Sequence, residues 1–220
     1  MNPTEFPSIL PVYPLEEPLL LPGTVAPFVV SEIWAFQLLE DAVRYGDSYL
    51  GFIQPLDGGR RLGVGRAGEP PFYTVGCLGR IGDCREEEPG EMLVLAEGLL
   101  RFRAVEELPA ENGYRRMRVD YSEFLSDLSR NEDELGFPAL REVIRSRLAL
   151  NELALDLSVM DRMAGTEIVT AIAHAISFSP AERQFLLETR DLRELQDVLL
   201  QLMAGPGGTP RFDLPPMLPS

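Results

Sequence analysis

The chain has 220 residues, 45% hydrophobic and 25% charged, an ordinary globular composition long enough to bury roughly 70% of the surface its unfolded form exposes. Its formal charge at pH 7 is −15, from 35 acidic against 20 basic residues, and every basic residue is an arginine. That balance repels phosphate backbones and anionic lipid, so neither nucleic acid nor a membrane surface is an expected partner. The absence of lysine removes P-loop, Schiff-base and Ser-Lys chemistry together.

The opening "MNPTEFPSIL" has no positive region before an apolar core, and no apolar run approaches the roughly 18 residues of a membrane span, so a cytoplasmic protein is expected. "SILPVYPL" reads as a strand and is followed by a proline-rich turn. In "LLPGT" the pair Pro22-Gly23 suits the centre of a type II turn, because glycine accepts the positive φ required there. Ser31 is placed to cap a helix with Glu32 in its first turn. Phe36, Leu39 and Val43 form its apolar stripe, and Gly46 ends it.

"SYLGFIQP" is the next strand. "GVGRAG" matches G-x-G-x-x-G through Gly63, Gly65 and Gly68, but Glu69-Pro70-Pro71 follows where a dinucleotide site needs a helix, so a loop is expected. "FYTVGCLGRIGDC", "EMLVLAEGLLRFRAVEEL" and "YRRMRVDYSEF" suggest a long antiparallel meander, with Gly76, Gly79, Gly82 and Gly98 marking bulges or tight bends. Cys77 and Cys84 fit neither a disulfide framework nor metal spacing. Glu86, Glu87, Glu88 and Glu91 surround Pro89-Gly90 and read as a solvated hairpin turn, so no metal and no cofactor is expected.

From about residue 133 the period changes from two to 3.6, with Leu140, Val143, Ile144 and Leu148 on one face, then Ile168, Ile172, Ala175 and Ile176. His174, the only histidine, sits beside that second stripe and needs no acid–base duty. Ser179-Pro180-Ala181-Glu182 is a capping box with proline at the first helical position. Asp191 and Glu194 open a last helix whose buried stripe is Leu195, Val198, Leu199 and Leu202. "PGGTPRFDLPPMLPS" is too proline-rich to fold alone. The expected units are therefore a β-rich subdomain over residues 1–125, a helical subdomain over 126–205 and a flexible tail over 206–220.

These elements, in this order, resemble the N-terminal domain of Lon proteases, and especially bacterial proteins made of that domain alone. The resemblance rests on "LPVYPLEEPLLLPGTVAPFVV", "EIWAFQLLEDAV", "YTVGCLGRI", "LVLAEGLLRFRAVEE" and "FSPAERQFLLETRDLRELQDVLLQLM". It implies an α+β fold: a β-rich PUA-like pseudobarrel with one packed helix, followed by a C-terminal helical bundle. It also implies a non-catalytic module that binds unfolded or extended polypeptide or a protein partner. The ATPase and Ser-Lys peptidase modules of Lon have no counterpart here, so an enzyme is not expected.

A groove between barrel and helices is the expected binding site, with Pro22, Phe28, Trp34 and Tyr73 as apolar contacts and Arg80, Arg101 and Arg103 holding carboxylates or main-chain carbonyls. Plain roles compete at each position, because aromatics dominate cores and strand arginines pair with glutamates. An adaptor in protein quality control is the first reading, and a regulatory or structural protein with one dedicated partner is the alternative.

Overall fold

A computed structural model describes residues 6–56, 71–129 and 178–204, with isolated positions at 141, 142, 145 and 168. Its strands are β1 (Ile9–Pro14), β2 (Val25–Val30), β3 (Tyr49–Pro55), β4 (Phe72–Glu88), β5 (Glu91–Glu111) and β6 (Tyr114–Asp120). Helix α1 (Ile33–Tyr45) lies between β2 and β3, and a kinked 3-10 segment, Ser122–Ser129, follows β6. The helices α2 (Pro180–Glu188) and α3 (Leu192–Ala204) come last.

The strands pair in the order β2-β5-β4-β3-β1-β6, and β6 pairs again with β5, so five strands close on themselves and β2 attaches outside the ring. Strand β5 makes closure possible because it is 21 residues long. Its first part pairs with β2 from Met92 to Glu97, its last part pairs with β6 from Arg103 to Glu111, and β4 runs along its other side. Among the described strands, only the β1–β3 pairing is parallel. Register shifts in β4 fall between Leu78 and Gly79 and between Ile81 and Cys84, where the glycine spacing predicts bends; such bulges increase local twist and let a sheet curl.

Two-residue turns set the hairpins. Asn112 and Gly113 both have positive φ, at 49° and 93°, the twist that joins antiparallel strands tightly. Pro89-Gly90 turns β4 into β5, and the surrounding glutamates are exposed as expected. Gly23 has φ 76° after Pro22, and Thr24 N–H donates to Leu21 O at 3.1 Å, which closes the predicted turn. At Gly98 a Cβ would collide with the Leu21 carbonyl, so only glycine lets this turn lie so close to β5.

Leu10, Ile53, Leu78, Leu100 and Phe102 fill the barrel interior, Leu50 is buried on the opposite face of β3, and the buried Ile168 belongs to the same core cluster, all essentially inaccessible to solvent. Helix α1 covers one end, and here the structure corrects the sequence reading twice. Glu32, not Ser31, occupies the cap position, and no side chain caps the helix. The buried face is Ala35, Leu38, Leu39 and Ala42, whereas Val43 is 59% exposed. Alanines facing the barrel allow a closer approach than the bulkier stripe predicted.

Strand β2 is the outer edge of the sheet. Gly98 N–H donates to Thr24 O at 2.9 Å, so by alternation Ala26, Phe28 and Val30 turn their main-chain groups toward β5. Val25, Pro27 and Val29 turn theirs outward. Proline offers no N–H there, and the Tyr13 hydroxyl donates to Val29 O at 3.3 Å.

The capping box at α2 forms as predicted: Glu182 N–H donates to Ser179 Oγ and Ser179 N–H to Glu182 Oε2. Glu194 N–H donates to Asp191 Oδ1 at the start of α3, whose buried face is Leu195, Val198, Leu199 and Leu202. The remainder of the expected helical bundle, His174, the "GVGRAG" loop and the C-terminal tail lie outside the described residues. Among those described, no helix is long and apolar enough to cross a membrane.

Candidate functional site

The seven residues expected at the groove fall into separate neighbourhoods. Phe28 and Trp34 meet on Tyr13, with ring centroids 4.8 and 5.9 Å from it, and Phe52 completes the cluster at 5.2 Å from Phe28. Phe28 is buried and Trp34 half-buried, so only the indole reaches solvent. Burial pushes the Tyr13 phenol up to about 12, with Glu32 adding to the shift. Pro22 is buried in its turn, and Arg80 is exposed, paired with Glu97 across the strands at 2.7 Å.

Tyr73 and Arg103 share a second neighbourhood at the start of β4. The Arg103 guanidinium binds both oxygens of Glu123 at 2.7 and 2.6 Å and donates to Thr74 Oγ1 at 3.2 Å. That pairing holds the Glu123 carboxyl below its ordinary range. Tyr73 is half-buried, and burial, then the Glu188 charge, raises its phenol.

Arg101 lies inside the protein, with 5% exposure. Its Nε and Nη2 grip Asp127 at 2.9 and 2.7 Å, and its main-chain N–H donates to the same carboxylate at 3.0 Å. Nη1 donates to Leu187 O at 3.1 Å and to Thr189 O. The guanidinium therefore satisfies carbonyls at the C-terminal end of α2, where the helix dipole favours a cation. It contacts a carboxylate and main-chain carbonyls, as its chemistry predicts, and those groups belong to its own chain.

A polar seam that the sequence did not reveal joins α2 to the barrel. Arg183 donates to Gln54 Oε1 at 3.0 Å, to Glu17 Oε1 at 2.7 Å and to Phe178 O. Gln54 Nε2 reaches Pro180 O at 2.6 Å, and Gln184 Nε2 reaches Val75 O at 3.2 Å. All three side chains are buried. A signal existed in Arg183 and Gln184 on the inner side of the helix beside Leu186 and Leu187, but the side-chain partners of Arg183, Gln54 and Glu17, lie 129 and 166 residues away along the chain. The cleft beside this seam, between Leu15, Leu20, Ile53 and Leu187, retains only about 20 Å³, room for about one water.

A roomier concavity lies elsewhere, where the C-terminal end of α1 meets the β5–β6 hairpin. It encloses about 360 Å³ and is walled by Ile9, Pro11, Asp41, Tyr45, Glu111 and Arg116. Asp41 ties the two elements together by accepting from Asn112 Nδ2 at 2.8 Å and the Tyr114 hydroxyl at 2.9 Å, while Gln37 donates from its own helix at 3.0 Å. Asn112 leads the contacts that keep the Asp41 carboxyl below its ordinary range. Glu111 pairs with Arg116. Tyr45 is 76% exposed and Ile9 39%. Among the described residues, no group of three His, Cys, Asp or Glu is placed to hold a metal.

Comparison with known proteins bears on the whole chain. Lon protease 2 of Myxococcus xanthus is 29% identical over 213 residues, covering 92% of this chain and 24% of that protein. The Lon protease of Anaeromyxobacter dehalogenans is 27% identical over the same shares, so the chain spans about a quarter of the length of these relatives. A Lon N-terminal domain protein from Xanthomonas campestris superposes with TM-score 0.59 at 24% identity, covering 87% of this chain and 96% of that one. The N-terminal domain of a Mycobacterium avium complex Lon protease gives TM-score 0.62 at 16% identity, covering 89% and 98%. These two show the fold. A family model described as the ATP-dependent protease La (LON) substrate-binding domain matches residues 9–205, and this chain belongs to that family.

Proposed function

We propose that this domain holds polypeptide segments non-covalently and performs no chemistry on them. The observation that carries the reading is the family match over residues 9–205, to a domain described as substrate-binding. The described concavities offer carboxylates, an arginine and tyrosines, groups suited to holding polypeptide by charge and hydrogen bonds. Trp34, Tyr73, Arg80 and Arg103 are the proposed outward contacts. Phe28 shares the Tyr13 ring with Trp34, Pro22 stays buried in its turn, and Arg101 braces the barrel against α2. An adaptor role in cytoplasmic protein quality control is the larger setting proposed.

The test is fluorescence anisotropy with a dye-labelled, reduced and alkylated protein and with its native, folded form. The expected result is binding of the unfolded probe with Kd of about 1 μM, about −8 kcal/mol, and much weaker binding of the folded one. Equal affinity for both, or binding of neither, overturns the reading. Capture of one stoichiometric partner from the protein's own cells, in place of many substoichiometric clients, favours a dedicated regulator instead.

A further inference from the structure

The groove between the C-terminal end of α1 and the β5–β6 hairpin brings carboxylates, an aromatic ring and apolar surface together. Its approximately 360 Å³ lies within the ~300–1,000 Å³ range typical of ligand sites, and its walls combine charge with apolar surface. Two carboxylates, Asp41 and Glu111, stand against one guanidinium, Arg116. The α1 terminus at Gly46 adds the negative end of a 13-residue helix, equivalent to roughly half a charge. Tyr45 contributes a largely exposed ring, and a ring face attracts cations. Arg44 stands 5.9 Å from that ring, near the ~6 Å limit of such an attraction, and is itself engaged by Glu40 at 2.7 Å. Ile9 and Pro11 supply the apolar floor. Arg116 is held by Glu111, although its Nε has no hydrogen-bond partner among the described residues, and a second copy of a chain carrying −15 meets repulsion here.

We infer that this groove is a pocket for a basic side chain, arginine or lysine, of a bound polypeptide, with its aliphatic stem on Ile9 and Pro11 and its charge between Tyr45 and the two carboxylates. The inference rests on the polypeptide-binding reading and names the substrate feature that this part of the domain selects. Selection works by complementarity: a stem and a terminal cation match an apolar floor under an acidic, aromatic rim. The anchoring contacts of Asp41 with Asn112 and Tyr114 pre-form the pocket, so little ordering is needed on binding.

The experiment uses the full chain and two dye-labelled peptides of identical sequence, one carrying arginines and the other citrulline at the same positions. Citrulline keeps the stem and removes the charge. Anisotropy is measured for the parent chain, Tyr45→Ala, Tyr45→Phe and Glu111→Arg, and amide chemical shifts locate the contact. The arginine peptide is expected to bind more tightly than the citrulline peptide. Tyr45→Ala should weaken arginine-peptide binding by roughly 2- to 5-fold, as loss of an exposed cation–π contact implies. Tyr45→Phe should restore it, Glu111→Arg should weaken it further, and shifts should centre on Tyr45, Gly46 and Asn112. Equal binding of the two peptides, or shifts centred elsewhere with Tyr45→Ala unchanged, overturns the pocket while leaving polypeptide binding intact. If neither peptide binds but the unfolded probe does, the pocket alone falls; if nothing binds, both readings fall. Thermal melts of each variant separate a lost contact from a lost fold.

Discussion

Arg101 shows how one side chain can serve architecture while looking like a binding residue. Its guanidinium satisfies Asp127, the α2 carbonyls and a cation–π contact with Phe124 at 4.8 Å. Removing it leaves the Asp127 carboxylate buried without its counter-charge, so Arg101→Met should cost about 3–5 kcal/mol in urea unfolding. Adding Asp127→Leu should recover much of that loss, because an apolar pair is tolerated where a lone charge is not. If Arg101→Met instead unfolds like the parent and only polypeptide binding drops, the bracing role is wrong. The sequence could not display this role: Asp127 lies 26 residues along the chain, and the carbonyls lie 86 to 89 residues away. What it displayed was an arginine on a strand, with its chemistry legible and its partners hidden.

At the level of elements, the turns and the α2 cap are legible in the sequence, whereas the α1 cap and the facing surfaces are not. Turns at Pro22-Gly23 and Pro89-Gly90 depend on a few adjacent residues, and both are where the sequence puts them. The α2 capping box is equally local, so its worth is open to a direct test: Ser179→Ala should destabilise the chain by about 1 kcal/mol in chemical denaturation, with Ser179→Asn near neutral. No change for Ser179→Ala would mean that α2 is held wholly by its barrel contacts. By contrast, the choice of Ala35 and Ala42 over Val43 as the buried side of α1 depends on how closely the barrel lets a helix approach. Periodicity fixes the spacing of a stripe; tertiary packing decides its angle. The same limit explains the spread of the expected groove residues, because strand alternation cannot show which end of a closed ring a residue occupies.

For the whole molecule, closure of the ring buries aromatic hydroxyls beside apolar side chains, with a consequence for alkaline stability. Burial raises Tyr13 to about 12, and burial with the Asp41 hydrogen bond does the same for Tyr114. Burial raises Tyr121 as well. A phenol whose folded pKa lies above its ordinary value of 10.0 favours the fold fully below pH 10 and loses that contribution as pH rises toward the folded value. Stability should therefore decline between pH 10 and 12, with tyrosinate absorbance appearing together with loss of circular dichroism. Tyrosinate appearing in a chain that keeps its full dichroism across that window contradicts the proposed burial.

The outer edge at β2 carries a further implication. A domain that keeps company with extended chains is exposed to strand addition, in which a guest extends the host's sheet and invites the next guest. Pro27 withholds a donor on the open side and Tyr13 covers the Val29 carbonyl, which interrupts the run of main-chain groups an added strand would pair with. On the function proposed above, that protection would keep a bound segment from extending the host's sheet and the host from becoming the first layer of an aggregate.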